Sequence, residues 1–294
     1  MTAPRPPLLP LLSVLGSVTF LGLGTSWAKH TLFPLVGAEG TTAVRVGFSA
    51  LLLLLLWRPW RWPLRHGDGR GIVCYGVALG AMNLCFYLAL RTIPFGVAVA
   101  IEFSGPLIVA LLASRRLADF AWVVLAVAGL GLLLPGGSGA GTLDPAGVLF
   151  ALAAAAMWAT YIVAGKRLGH LHAGHSVALG LTVAAMVVVP IGVARAGTAL
   201  LSPTVLLVGL CVAALSSAIP ISLEMVALKR LPKQAFGVML SMEPAMAALL
   251  ALAFLDEHLR PMQWLAIGFI MTASMGCALT AQRRTVTPAV SLQA

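Results

Sequence analysis

Apolar residues run along this chain in blocks of about 20, the length a helix needs to cross the hydrocarbon of a bilayer. Ten such blocks can be marked, at 8–28, 38–57, 71–90, 95–113, 117–134, 145–164, 176–194, 204–223, 234–255 and 262–281. Short segments rich in Gly, Pro and Arg separate them. Alternation of period two is absent, which excludes a transmembrane β-barrel. The pattern therefore predicts an all-α integral membrane protein with ten transmembrane helices. The first block could pass for the apolar region of a signal peptide. It lacks a small-residue cleavage site and nine similar blocks follow, so it is read as a retained span.

The polar positions between the blocks set a direction. With the N-terminus in the cytoplasm, the segments on that side hold fourteen basic residues, among them Arg58, Arg61, Arg65, Arg70, Arg115, Arg116, Lys166 and Arg167. The opposite segments hold four: Lys29, Arg91, Arg195 and Arg260. Cytoplasmic loops of membrane proteins carry the excess of Lys and Arg, so both termini are expected in the cytoplasm, with the chain multi-pass in the inner membrane.

Composition narrows the class. The 294 residues are 60% hydrophobic and 10% charged, where soluble domains carry about 25% charged residues. The formal charge of +10 would suit a nucleic-acid partner, but the basic residues sit in short loops between apolar runs, so none is expected. Cys74, Cys85, Cys211 and Cys277 lie inside apolar runs without framework spacing. Phosphate-cradling and hydrolase motifs are missing, which removes the chemistry of an ATP-driven pump or a membrane protease. No enzyme activity and no cofactor are expected. His170, His172 and His175 form H-x-H-x-x-H without an adjacent Cys or carboxylate, and no metal site is assigned to them.

The second half of the chain echoes the first. Ala89 to Pro94 resembles Ala227 to Pro232, and each is followed by Phe-Gly-Val, starting at Phe95 and Phe236. Six residues after each Gly comes a glutamate, Glu102 or Glu243, with Pro106 or Pro244 close by and Trp122 or Trp264 about 20 residues on. Trp27-Ala28 in the first span parallels Trp158-Ala159 in the sixth. Two copies of five spans, 1–139 and 140–294, insert in opposite directions because five is odd. Secondary transporters use such inverted repeats, with the site near the midplane between them.

Five ionisable residues interrupt or edge the blocks: Lys29, Arg45, Glu102, Glu224 and Glu243. A charge in hydrocarbon costs about 3 kcal/mol on insertion scales and marks a pathway or a pairing. Arg45 and Glu102 both lie about 10 Å in from the outer ends of their spans by helical rise. They are read either as a structural ion pair or as brackets for a zwitterion, Arg for the carboxylate and Glu for the ammonium. Glu243, near mid-membrane beside the helix-breaking Pro244, is read as a proton or substrate site, or as a structural hydrogen-bonding carboxyl. Lys29 either snorkels to the headgroups or serves as a gate or a carboxylate contact. Glu224 reads as a solvated interfacial charge near Lys229 and Arg230. Asn83 and Tyr87 share a helix face at spacing i, i+4. Trp27, Trp158 and Tyr161 are further candidates for the cavity, against packing or interface anchoring.

With these landmarks on the page, the chain resembles the EamA-type drug/metabolite transporter superfamily. The matching stretches include Ser26 to Lys29, Leu32 to Ala38, Thr42 to Arg45, Glu102 to Pro106, Ser114 to Arg116 with Asp119-Phe120, Ser222 to Met225, and Ser241 to Ala245. The narrower ones (LFPLVGA, SRR-x-x-DF and SMEPA) resemble the branch that exports threonine and homoserine. The resemblance implies proton-driven export of small hydrophilic amino acids by alternating access. The alternatives are another substrate on the same fold, such as aromatic amino acids, cationic drugs or nucleotide sugars, or a membrane-embedded enzyme or scaffold.

Overall fold

The computed structural model describes residues 8–61, 68–112, 117–133, 143–228 and 233–282. These form helices joined by short turns and loops, with no strand among them. The helices are α1 (Leu8–Trp27), α2 (Phe33–Trp57), α3 (Asp68–Ala89), α4 (Phe95–Glu102), α5 (Ser104–Leu112), α6 (Leu117–Leu133), α7 (Pro145–Arg167), α8 (Ala173–Ala196), α9 (Pro203–Ala213), α10 (Ile219–Leu228), α11 (Lys233–Leu240), α12 (Glu243–Leu255) and α13 (Pro261–Gln282). Every apolar block falls on helix. Among the described residues six helical stretches are long and apolar enough to cross a membrane, and 95–109 and 120–132 form shorter apolar helices.

Local chemistry explains where several helices start and stop. The Asp144 side chain accepts a hydrogen bond from the Ala146 amide and Pro145 takes the first turn of α7, where its missing N–H costs nothing. Ser202 and Pro203 do the same for α9. The first two blocks join through a π-helical turn at Ala28–Leu32. The path is broken only at Gly37, whose φ of 66° and ψ of −176° lie in a region essentially restricted to glycine. Blocks four and nine are each broken in the middle. Phe103 separates α4 from α5, and Ser241-Met242 separates α11 from α12. Glu102 thus ends one half-helix and Glu243 begins another. Pro244 sits in the first turn of α12, so it opens a new helix rather than kinking a continuous one.

The two halves interlock. α1 packs on α10 and α12, α2 on α8 and α9, α3 on α7 and α8, α4 on α7 and α12, and α6 on α13. The α4–α12 crossing is close: a Cβ on Gly96 would stand 2.7 Å from Ala248 Cα. Small residues at such crossings let helix backbones approach where lipid offers no hydrophobic drive for association. Outward, large apolar side chains are bare, including Leu55 at 67%, Leu149 at 68% and Phe254 at 57% exposure. That is a surface for lipid rather than water.

Several sequence landmarks lie outside the described residues. They include Arg5, Arg65, Arg115, Arg116, Lys229, Arg230, Arg283 and Arg284, and with them the end of the second Ala-to-Pro motif at Leu231-Pro232.

Candidate substrate site

Arg45 is held by two elements, a π-helical turn and α3. Its Nε donates to Ser216 Oγ at 2.8 Å, its Nη1 donates to Asn83 Oδ1, and its Nη2 reaches the Ser216 carbonyl at 3.4 Å. The guanidinium carbon lies 5.4 Å from the centre of the Tyr87 ring, within cation–π range. Asn83 is itself fixed, because its Nδ2 donates to the Leu79 carbonyl at 2.9 Å. Ser216 belongs to a π-helical turn at Ala214–Ala218 between α9 and α10. Such turns recur at functional sites, and here the turn carries hydroxyl and carbonyl to one guanidinium. Its neighbour Ser217 bonds Ser49 across the helix interface at 2.8 Å. Of the five guanidinium N–H groups, three are used. One on each Nη remains, and a guanidinium with two spare N–H groups can bond a carboxylate.

Arg45 lines a cavity of about 140 Å³ together with Thr25, Met82, Asn83, Phe86, Phe95, Val99, Glu102, Trp158, Glu243 and apolar residues of α1 and α12. Glu102 is 7% exposed. Among the described residues neither Glu102 nor Glu243 forms an ion pair within 4 Å. Hence Arg45 and Glu102 meet across a cavity and are not joined as a direct pair: the guanidinium is tethered by neutral oxygens, and the carboxylates face the space.

The other candidates sort themselves by position. Trp158 lines the cavity, edge-on to Phe103 with ring centres 5.4 Å apart. Tyr87 is fully buried behind Arg45. Tyr161 stands elsewhere: its ring stacks on Tyr75 at 4.5 Å and their hydroxyls bond at 2.9 Å. Trp27 is 38% exposed and absent from the lining, so its parallel with Trp158 does not extend to environment. Glu224 is not solvated as its interfacial position suggested; it is partly buried and accepts a 2.8 Å bond from Ser17 Oγ, tying α10 to α1. Lys29 does not snorkel. Its Nζ lies 2.6 Å from Glu257 Oε1, with both side chains largely buried. Glu257 Oε2 accepts from the Phe95 amide at 2.7 Å, so one carboxylate joins the turn after α1, the start of α4 and the loop after α12.

Four participants escaped the sequence reading. Glu257 looks like any loop acid, and only the fold brings it to Lys29. Phe95 was seen as a repeat landmark but not as cavity wall. Ser216 and Ser217 offered a signal, a polar pair within an apolar block, which reading only for charges passes over. The histidine cluster resolves differently from a metal site. His170 Nε2 lies 3.1 Å from Asp68 Oδ1. The Nδ1 of His172 accepts from the Gly174 amide and its ring lies 5.2 Å from that of Trp57.

Similarity to known proteins now bears on this geometry. Residues 145–279 match the EamA-like transporter family. The chain is 49% identical over 278 residues to the threonine/homoserine exporter RhtA of Escherichia coli (strain K12), covering 95% of this chain and 94% of that one. The chain belongs to the EamA-like transporter family. A second relative, the threonine/homoserine exporter RhtA of Salmonella typhimurium (strain SL1344), is 48% identical over 96% of this chain and 95% of its own. The uncharacterized transporter YwfM of Bacillus subtilis (strain 168) is 28% identical over 80% and 81%. One crystal structure of a protein 18% identical in sequence superposes with a TM-score of 0.60, covering 95% of this chain and 99% of that one; it shares the fold. This EamA-like chain is therefore a multi-pass membrane transporter, not an enzyme.

Proposed function

We propose that the protein exports small hydrophilic amino acids, threonine and homoserine, across the inner membrane, driven by protons. The observation that carries the reading is a tethered guanidinium facing two carboxylates across one small cavity. An amino acid is the ligand this arrangement suits. Its carboxylate would take the two spare N–H groups of Arg45, and its ammonium would sit against Glu102 or Glu243. Size agrees, since a protein cavity of about 150 Å³ holds one benzene-sized molecule, whereas a nucleotide sugar is several times larger. The names of the relatives at 49% and 48% identity point the same way.

The architecture we infer is ten spans in two inverted five-helix repeats, 1–139 and 140–294, with both termini cytoplasmic. Support comes from the basic-residue asymmetry, from the matching breaks after Glu102 and before Glu243, and from the interlocking of the halves. In that orientation the Lys29–Glu257–Phe95 contact lies at the outer end of the bundle. It ties parts of both repeats together as a closed outer gate, so substrate release outward requires Glu257 to let go. Alternating access then exchanges this contact for separation, and a ligand shifts the balance only by binding the two states differently. Glu243 is the residue we assign to proton coupling, with Glu102 its repeat-related partner.

Efflux from intact cells loaded with a panel of amino acids tests the substrate. Cells making the protein should lose threonine and homoserine faster than cells without it, and phenylalanine at the control rate. Faster loss of phenylalanine, or of a cationic dye, with threonine unchanged would replace the proposed substrate by another on the same fold.

A further inference from the structure

A second, larger cavity lies away from the Arg45 site. It has a volume of about 590 Å³ and is walled by the start of α3, the end of α5 and the second half of α7, with Arg70 and Arg167 among its lining residues. An adjoining groove of about 520 Å³ shares Arg70, Cys74 and Thr160 with it and runs along α3 past Val73 and Val77 to Ala78. From Asp68 to Ala78 the helical rise is about 15 Å, the depth of one leaflet's hydrocarbon. One end of this trough is therefore cationic and the remainder apolar. Both arginines are exposed, and neither has an ion pair among the described residues. The one acid in the lining, Asp68, has its Oδ1 3.1 Å from His170 Nε2.

We propose that this trough binds one anionic phospholipid. The phosphate would sit between Arg70 and Arg167, and an acyl chain would lie along α3 between Val73 and Ala78. Charge complementarity selects this occupant. Two guanidiniums without an ion pair among the described residues, placed at a membrane surface, attract anionic headgroups, and their planar forks match phosphate oxygens. A zwitterionic lipid would bring its own cation to a site that already has two. Placing the trough in the cytoplasmic leaflet rests on the orientation proposed above; the binding itself does not.

The test offers the purified full-length chain equal amounts of phosphatidylglycerol and phosphatidylcholine and counts retained lipids by native mass spectrometry. One phosphatidylglycerol should be held in preference. Arg70→Gln/Arg167→Gln should weaken that preference about thirtyfold, the effect of two basic residues at a membrane surface. Arg70→Lys/Arg167→Lys should keep most of it, and Lys166→Gln, an exposed charge outside the lining, all of it. Equal retention of both lipids by the parent, or a preference that survives the double Gln substitution, would overturn the proposal. A further arm leaves the protein unaltered. Inorganic phosphate in large excess should not displace the lipid, because it lacks the chain; displacement would mean that the arginines hold a free anion and that the groove contributes nothing.

Discussion

The two ends of this bundle handle charge in opposite ways. At the end where α1 finishes and α4 begins, most charges pair, Arg195 being exposed without an ion pair among the described residues, and the Asp68–His170 contact is the one pair of the opposite end among them. Lys29 holds Glu257, Glu257 also holds the Phe95 amide, and Arg91 lies 3.5 Å from Glu39. At the other end, Arg58, Arg61, Arg70, Lys166 and Arg167 are exposed and take part in no ion pair among the described residues. Only a neutral hydroxyl, Ser17, joins α1 to a carboxylate there, at Glu224. A count of basic residues treats Lys29 and Arg167 alike. Their surroundings differ: Lys29 bridges to Glu257, and Arg167 is exposed. Among the described residues, side-chain ion pairs between helices gather where α1 meets α4, and exposed basic residues without one gather at the other end.

The comparison breaks first if the site between the two ends is not the transport site. Glu243→Gln keeps size and hydrogen bonding but cannot ionise. It should reach the membrane in normal amount and fail to accumulate threonine in proteoliposomes under an imposed pH gradient, while still exchanging threonine for threonine. A Gln variant that responds to the gradient like the parent would move the proton to Glu102. The next effect concerns the paired end. Glu257→Gln and Lys29→Met each remove one partner of a mostly buried pair. The expected destabilisation of the closed state is about 2 kcal/mol, between the values for exposed and for buried pairs. A cysteine placed at cavity residue Met82 should then react faster with an impermeant thiol reagent added outside, and unchanged labelling would mean that the contact does not gate the cavity. The smallest effect belongs to the other end. Ser17→Ala removes one hydrogen bond to Glu224, an effect of about 1–2 kcal/mol, and should raise labelling from the cytoplasmic side only slightly. A loss as large as that from Glu257→Gln would erase the contrast between the ends.

Much of this was legible in the chain because membranes impose simple rules. A span must satisfy its own backbone and expose apolar side chains, so the all-helical character of the chain could be read from its apolar blocks directly. Charges in oil are costly, so Arg45, Glu102 and Glu243 stood out, and the fold brings all three to one cavity. Asn83 and Tyr87 were linked by spacing alone, and both hold Arg45. What could not be read is tertiary. Nothing local distinguishes Glu257 from a solvated loop acid, or directs Ser216 to the guanidinium. The tryptophan parallel misled because likeness of sequence does not carry environment with it: Trp158 lines the cavity and Trp27 does not. The π-helical turns at Ala28–Leu32 and Ala214–Ala218 left no trace in apolar periodicity, since one extra residue in a turn is hidden when every face is apolar.

The central claim is that Arg45 receives the carboxylate of an amino acid with the N–H groups its tether leaves spare. Equilibrium binding of radiolabelled threonine to purified protein tests it most directly, with Arg45→Gln against the parent. Two charge-assisted bonds are lost, about 1.5–3 kcal/mol each. The account predicts affinity lower by about a hundredfold or more in a variant that remains monodisperse. Unchanged threonine affinity in a folded Arg45→Gln protein would contradict it and leave Arg45 as a structural cation holding Asn83 and Ser216 together.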